Sequence, residues 1–196
     1  MARIHYVDPE SFSETELLKT AHEPEELPEE LQPLLESPIR NVYRALANNE
    51  PATRAFREWM GTVWQQAGLS IRERELVILT AARTVDSRYE WHQHVRHAIT
   101  AGIEPEEIIA ISTNPGDPQG FEPREQALIT YAHGVCADTV TDAMFESFAT
   151  FVDQETVVGT TMLAAGYLGL AHMLHAMEVD TEEPFVGWEL ERLGKK

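Results

Sequence analysis

The sequence predicts an all-α protein in which about seven to nine helices pack as one bundle. Apolar residues recur at three-to-four spacing through most of residues 34–178, which is the period of an amphipathic helix. Prolines and capping residues stand where helices would begin, and no run of alternating β-branched residues bounded by turn signals occurs. A chain of 196 residues is long enough for one well-buried domain and too short to expect two.

The first third of the chain is predicted to contain an arm and two helices. Residues 1–33 are rich in Pro and Glu, which favours an extended arm. Helices are predicted over 34–48 and 52–67. Pro51 stands at a suitable first position for the second helix, and Gly68 closes it.

The next two helices begin and end at clear signals. Ser70 is a good N-cap, and Glu73 three residues later completes a capping box for a helix through Thr84. A turn at 85–87 then leads into a helix that ends at Gly102.

The second half of the chain is predicted to hold four more helices. The clearest break is the loop 113–120, which reads TNPGDPQG. Residues 34–180 are predicted to form the helical domain, and residues 181–196 are predicted to form a C-terminal tail. The four helices are predicted over 104–112, 123–137, 141–151 and 154–178.

Charge and composition exclude several classes of partner. The chain has 33 acidic residues against 15 Lys plus Arg, so nucleic acid and anionic membranes would be repelled. The run 157–174 has no charged residue but contains glycines, threonines and a histidine, which favours a buried or interface helix over a membrane span. No signal-type segment opens the sequence, and we expect a cytoplasmic protein that binds a small molecule.

The single cysteine, Cys136, excludes a second large class of chemistry. An intramolecular disulfide is impossible, and so is any mechanism that needs two thiols in one chain. Cys136 itself is predicted to be a small packed residue rather than a nucleophile.

The helix predicted from Ser87 carries an acid–base pattern. At about 100° per residue, five residues fall in one arc of roughly 80°: Ser87, Glu90, His94, His97 and Ala101. Glu90 and His94 are four residues apart, so the carboxylate can orient the imidazole and raise its basicity. The alternative is an exposed pair that contributes only a few tenths of a kcal/mol. His97 either extends this site or is solvated, and His92 is predicted to lie on the surface.

Glu75 stands inside an otherwise apolar helix. It precedes the run LVIL and is followed by two alanines, and a carboxylate in such a helix needs a partner. Two interpretations stay open. Glu75 belongs to a functional site, or Arg72 or Arg74 neutralises it in a charged first turn.

Two histidines near the end of the last helix share a stripe with apolar residues and are predicted to face inward. These are His172 and His175. Together with Glu178, Glu90 and His94 they are weak candidates for a metal site, but packed core or interface histidines are favoured and no metal or other cofactor is expected. His133 is similarly ambiguous.

Three segments together resemble the carboxymuconolactone decarboxylase family, whose superfamily also includes alkylhydroperoxidase D-like proteins. They are RERELVILTAA at 72–82, YEWHQHVRHAITAGIEPEEIIAI at 89–111 and YLGLAHML at 167–174. The resemblance implies an all-helical alkylhydroperoxidase D-like bundle. It also implies homo-oligomers, commonly trimers or hexamers, with active sites near subunit interfaces.

The resemblance has two chemical branches. In the peroxidase-like branch a glutamate precedes a CxxC pair and a histidine. Glu75 and His94 match two of these positions, but Ser87 and Glu90 replace both thiols, so a dithiol mechanism is excluded. The decarboxylase branch carries a glutamate four residues before the histidine, as at Glu90 and His94.

The function predicted on this basis is cofactor-independent acid–base chemistry, a decarboxylation or related lyase or isomerase step, on a small carboxylated metabolite. His94 would be the proton shuttle, oriented by Glu90 and tuned by Glu75. Four residues are candidates for substrate binding: Arg83, Arg88, Ser87 and His97. One alternative is a peroxidase-like antioxidant protein that uses Cys136 or an external thiol. The other is a non-catalytic oligomer that binds a ligand or metal through Glu90, His94, His172 and His175.

Overall fold

The prediction of an all-helical bundle is confirmed. In a computed structural model of the protein, which describes residues 1–8 and 40–193, these residues form eight α-helices, one short 3-10 helix and no strand. The helices are α1 (Asn41–Leu46), the 3-10 helix (Ala47–Asn49), α2 (Glu50–Gln66), α3 (Ile71–Thr84), α4 (Arg88–Thr100), α5 (Pro105–Thr113), α6 (Pro123–Ala137), α7 (Asp142–Ala149) and α8 (Gln154–Met177).

The described residues cover only part of the predicted N-terminal arm and of the predicted first helix. Most of the predicted arm, and positions 34–39 of the predicted first helix, lie outside the described residues. Residues 1–8 run beside the ends of α8 and α1. The backbone N–H of Arg3 donates to the carbonyl of Met177 (2.8 Å), and that of Val7 donates to the carbonyl of Arg44 (3.1 Å).

Helix α3 begins with the predicted capping box. The Ser70 hydroxyl accepts from the N–H of Glu73 at 3.2 Å, and the Glu73 carboxylate accepts from the N–H of Ser70 at 2.8 Å. Each contact satisfies a donor that the start of a helix leaves without a partner. The same carboxylate accepts from Arg124 Nε at 2.6 Å, so the cap also ties α3 to α6.

Helix α3 is the centre of the bundle. It packs against α4, α6 and α8, and the four residues of the LVIL run, 76–79, are completely buried. One apolar cluster fills the space between α2, α3, α6, α7 and α8, and a second lies between α3, α4, α5, α6 and the C-terminal segment. Glu75, which directly precedes this run, is itself only 3% exposed.

The segment predicted as a C-terminal tail packs on α4. Val186 and Leu190 are buried in the second apolar cluster, and the indole N–H of Trp91 donates to the carbonyl of Gly187 at 3.1 Å. The prediction that His92 lies on the surface is wrong. His92 is 7% exposed, because this segment covers it and the N–H of Val186 donates to its Nδ1 at 3.1 Å.

Helix α8 is apolar on nearly every side but is only partly covered. By length and composition alone it could cross a membrane, with a mean hydropathy of 1.4, and it is the one such helix among the described residues. Leu163 and Ala171 on one side are completely buried, whereas Val158 and Met162 on another side are 57% and 38% exposed.

Candidate functional site

The site is built where α3 meets α4. The two helices are joined by a tight turn in which Asp86 adopts φ +54° and the N–H of Ser87 donates to the carbonyl of Ala82 at 2.7 Å. This turn brings Glu75 of α3 opposite His94 of α4. The His94 Nδ1 atom lies 2.8 Å from Glu75 Oε2, and the two side chains are only 13% and 5% exposed.

Glu90 lies on the other side of the same imidazole. Its Oε2 atom is 3.6 Å from His94 Nε2, one helical turn away, and its side chain is 5% exposed. The structure therefore assigns the two carboxylates differently from the sequence prediction. Glu75 holds the ring through a direct hydrogen bond, whereas Glu90 stands at the nitrogen that remains available for chemistry.

Neither flanking arginine forms an ion pair with Glu75 among the described contacts. Arg72 is ion-paired with Glu107 at 2.6 Å, and the guanidinium of Arg74 lies over the ring of Trp64 at 4.1 Å from its centroid. Among the described side chains, the hydrogen-bond contact of Glu75 is with His94. These contacts favour the interpretation of Glu75 as part of a functional site over that of a residue paired within the first turn.

Burial and charge shift the ionisation of the central groups. Burial raises the pKa of the Glu90 carboxyl above its ordinary value, although the charges of His94 and Arg40 oppose this effect. Burial alone would lower the pKa of His94, but the hydrogen-bonded carboxylate of Glu75 outweighs burial, and the pKa of His94 is raised. The imidazole is therefore poised to hold a proton that it can deliver.

Two aromatic rings flank His94. The ring of Tyr167 on α8 meets it edge to face, with centroids 5.2 Å apart and an interplanar angle of 88°. The ring of His97 lies 5.3 Å away at 37°. Burial, together with the charges of Glu75 and Glu90, raises the pKa of Tyr167 well above its ordinary value, so its phenol stays neutral and can donate a hydrogen bond.

Arg40 is a cation beside the site, and no sequence pattern predicts its place there. Its Nη2 atom lies 3.2 Å from Nε2 of His97. Arg40 and His97 are 57 positions apart, so no local spacing rule could have paired them. Tyr167 is the first residue of YLGLAHML at 167–174, the third segment that resembles the family. Its phenol is the one aromatic hydroxyl in the charge-free run 157–174, and that was the available signal.

Ser87 lies at the start of the same helix face. Its side chain is completely buried, and its hydroxyl has no hydrogen-bond partner among the described residues. It is one of the two positions at which the peroxidase-like branch carries a thiol, and Glu90 is the other. Neither oxygen-bearing side chain can replace a thiol in peroxide reduction.

The two arginines predicted to bind a substrate carboxylate face other groups. Arg83 donates to the carbonyl of Ser112 at 2.7 Å and lies 4.8 Å from the ring centroid of Trp188. Arg88 lies 4.6 Å from the ring centroid of Phe185. Both guanidiniums are held by aromatic residues of the C-terminal segment, and neither contacts Glu75, Glu90 or His94 among the described residues.

The remaining candidates lie outside the site. The prediction that His172 and His175 face inward is wrong, because both are exposed, and His175 Nε2 contacts the carbonyl of Asp86 at 3.3 Å. In the described part of the chain no three His, Cys, Asp or Glu side chains are grouped to hold a metal ion. Cys136 is buried, which raises the pKa of its thiol to about 12, and its Sγ contacts the carbonyl of Ala164 at 3.7 Å.

The fold and the site define a helical protein with a glutamate–histidine centre, free of cysteine, between two packed helices. The family model described as "Carboxymuconolactone decarboxylase family" matches residues 50–134, a range that contains Glu75, Glu90 and His94. This match confirms the family resemblance of the sequence over that range. No curated protein sequence matches the chain.

Solved structures share this fold. An uncharacterised peroxidase-related protein from Ralstonia eutropha JMP134, an alkylhydroperoxidase AhpD core, is 19% identical with a TM-score of 0.68, over 86% of this chain and 94% of that one. A protein of unknown function from Agrobacterium tumefaciens, proposed to be an antioxidant defence protein AhpD, is 19% identical with a TM-score of 0.64, over 70% and 95%. The debrominase Bmp8 is 12% identical with a TM-score of 0.75, over 95% and 96%. At these identities the likeness establishes the fold.

Proposed function

We propose that the protein is an acid–base enzyme in which His94 carries a proton to and from a carbon atom of a small carbonyl-bearing substrate. The observation that supports this most directly is the pairing of Nδ1 with Glu75 at 2.8 Å while Nε2 faces Glu90 at 3.6 Å. One nitrogen is fixed by a carboxylate, and the other is left for the substrate. The family match over residues 50–134 supports a function of the enzyme or antioxidant kind, and the site geometry favours the enzyme.

The proton donors and acceptors of the site suit decarboxylation of a 3-oxo acid or its vinylogue. The carbon–carbon bond to the carboxylate breaks, CO₂ leaves, and the electron pair passes to the carbonyl oxygen as an enolate. The imidazolium of His94 then donates its Nε2 proton to the carbon. Because Glu75 raises the pKa of His94, the protonated form is available at neutral pH.

Two neutral donors stand near the position where the enolate charge would develop. Glu90 is disposed toward its protonated form by burial, and the phenol of Tyr167 stays protonated. Hydrogen bonds that are already in place where an oxyanion forms lower the barrier, and they act most strongly in a site shielded from water. The same set would serve an isomerisation, in which His94 removes a proton from one carbon and returns it to another.

The two alternative functions find less support. A thiol-dependent peroxidase needs a thiolate, and the buried Cys136 thiol, with a pKa of about 12, is almost entirely protonated at neutral pH. A metal centre built from Glu90, His94, His172 and His175 would need the last two to face the first two, but both are exposed on α8.

The enzyme proposal is tested with a panel of small 3-oxo acids and unsaturated lactone carboxylates in D₂O. Carbon-13 NMR follows CO₂ release, and proton NMR follows deuterium incorporation at carbon. We expect His94→Gln to lower turnover by at least about a hundredfold, the ordinary contribution of a general acid or base. The matched control is His172→Gln, which changes an exposed histidine of α8. Turnover that survives His94→Gln would contradict the proposal.

We further propose that the protein works as a cytoplasmic homo-oligomer, a trimer or hexamer. The exposed apolar residues of α8, including Val158 and Met162, support contact with a second copy of the chain. Sedimentation should give a mass that is a multiple of 22.1 kDa, and a clean monomer would contradict this part of the proposal.

A further inference from the structure

The guanidinium of Arg40 lies beside the acid–base pair. Arg40 is half-buried immediately before α1, and its Nη2 donates to Nε2 of His97, 3.2 Å away. The ring of His97 in turn lies 5.3 Å from the ring of His94. A planar guanidinium has five N–H donors, and among the described residues the contact with His97 occupies one of its two terminal nitrogens.

The positive charge of Arg40 acts on three titratable groups around the centre of the site. It lowers the pKa of Glu90, of His94 and of Tyr167 relative to what burial and the other charges would produce. These three side chains come from α4 and α8, so the guanidinium lies close to both helices.

The side chain of Arg40 is not needed to start α1. Its backbone carbonyl accepts from the N–H groups of Tyr43 (3.0 Å) and Arg44 (3.3 Å), and its side chain makes no capping hydrogen bond. Any residue with the same backbone conformation would provide these contacts. The contacts of the guanidinium therefore point toward the site and not toward the helix.

The positive charge of Arg40 makes this part of the site attractive to an anion. Nε2 of His97 accepts from a guanidinium that can only donate. Among the described residues, the other terminal nitrogen of this guanidinium makes no hydrogen bond, so an anion can bind there through a charge-assisted contact.

We infer that Arg40, beside His97, binds the carboxylate of the substrate and so holds the reacting carbon near His94. A planar carboxylate matches the paired donors of a guanidinium. The inference rests on the acid–base function proposed above and adds the residue that binds the substrate. Arg40 takes the role that the sequence analysis gave to Arg83 and Arg88.

The test is a binding measurement that needs no turnover. Acetate is titrated into the full-length protein and followed by the imidazole NMR signals and by calorimetry, with acetamide as a neutral molecule of the same shape. We expect acetate to bind and acetamide not to bind. Arg40→Gln should weaken acetate binding at least about tenfold, the effect of losing one charge-assisted pair.

Two further variants separate binding from folding. Arg54→Gln changes an exposed arginine that pairs with Glu50 on α2, and it should leave acetate affinity unchanged. Arg40→Lys keeps the charge but loses the planar fork, so we expect an affinity between those of the wild type and Arg40→Gln. Acetate affinity that is equal in the wild type and in a folded Arg40→Gln variant would overturn the inference, and so would a wild type that does not bind acetate.

The coupling to Glu90 provides a second readout. Because protonation of Glu90 removes a negative charge from beside the bound anion, acetate should bind more tightly as the pH falls. Glu90→Gln, which imitates the protonated carboxyl, should bind acetate as tightly at neutral pH as the wild type does at lower pH. A pH-independent affinity in the wild type would contradict the charge argument.

The anion site and the acid–base proposal fail in different ways. If His94→Gln keeps its turnover while Arg40→Gln loses acetate binding, the proton-shuttle assignment is wrong and the anion site stands. If acetate binding does not depend on Arg40 while His94→Gln is inactive, the anion site is wrong and the acid–base assignment stands.

Discussion

Glu75 accepts a hydrogen bond from Nδ1 of His94 at 2.8 Å, and this contact joins two different helices. The i,i+4 partner of His94, Glu90, stays at 3.6 Å from the other ring nitrogen. An imidazole held by a neighbouring helix keeps its orientation when a substrate arrives, because the helix backbones fix both ends of the contact. The two carboxylates therefore have different places: Glu75 positions the ring through Nδ1, and Glu90 lies beside Nε2, the nitrogen proposed to transfer the proton.

Glu75→Gln should lower the pKa of His94. The amide can still accept from Nδ1, but it removes the negative charge that raises the pKa of the imidazole against the opposing effect of burial. The measurement is an NMR pH titration of the His94 ring in the wild type and the variant. Glu146→Gln on the exposed side of α7 is the control, and an unchanged His94 titration in Glu75→Gln would mean that Glu75 does not set this pKa.

The same shift has a consequence for stability. A histidine whose folded pKa is raised stabilises the fold fully below the unfolded value of about 6.5, and this contribution disappears as the pH rises through the folded pKa. Glu75→Gln should therefore lose more stability at pH 6 than at pH 9. Urea unfolding at the two pH values measures the difference. An equal loss at both would show that the carboxylate contributes through packing or a pH-independent contact.

Cys136 should be unreactive in the folded protein. Its thiol is buried beside the carbonyl of Ala164, and burial raises its pKa to about 12, so very little thiolate is present at neutral pH. Iodoacetamide should leave the native protein unmodified and add one label after unfolding in urea, as read by intact mass. Rapid labelling of the native protein would revive the thiol-dependent alternative.

Features that depend on near neighbours were predictable from the sequence. The capping box needs only Ser70 and Glu73, and the pairing of Glu90 with His94 needs only one helical turn. The enclosure of Glu75 followed from the apolar residues around it, although its partner did not. In each case the information lies within a few positions of the chain, where helix geometry alone fixes which side chains meet.

Features that depend on distant segments were not predictable. The contact of Arg40 with His97 joins residues that are separated in the chain by α1, the 3-10 helix, α2 and α3, and His92 is buried by a segment nearly a hundred positions further along the chain. The inward orientation predicted for His172 and His175 was wrong because α8 is apolar on nearly every side. A helix without a polar face offers no periodicity from which to choose the buried side.

His92 should make the fold less stable in mild acid. Its Nδ1 accepts from the N–H of Val186, which requires the unprotonated ring. Burial lowers its pKa and the nearby charge of Arg96 adds to this effect, while Glu182 and Glu183 oppose it. A histidine with a lowered folded pKa gives full stability above the unfolded value of about 6.5, and this stability is lost as the pH falls toward the folded pKa.

His92→Asn isolates that contribution. The amide oxygen can accept from the same N–H, but it does not titrate, so the fall in stability between pH 7.5 and pH 5.5 should be smaller than in the wild type. Urea unfolding at both pH values gives the comparison, and His5→Asn, at an exposed position, is the control. The pKa shifts of His94 and His133 occur in both the wild type and the variant, so their effects on stability cancel when the two proteins are compared. Parallel pH profiles would show that His92 does not govern this segment.

Two glycines of α8 should respond in opposite directions to the same substitution. A methyl group at Gly159 would lie 2.7 Å from Cα and 2.8 Å from the carbonyl oxygen of Ala67, whereas a methyl group at Gly169 would meet nothing within 4 Å. Because the obstacle at Gly159 is backbone at the end of α2, Gly159→Ala must push the two helices apart, at a cost of about 1–3 kcal/mol. Gly169→Ala should instead stabilise the fold by about 0.5–1 kcal/mol through helix propensity. The urea midpoints of both variants, measured at one pH, show whether each substitution stabilises or destabilises the fold. If Gly159→Ala is as stable as the wild type, α8 can shift without cost. The position of Tyr167 beside His94 would then not be fixed by the packing of α8 on α2.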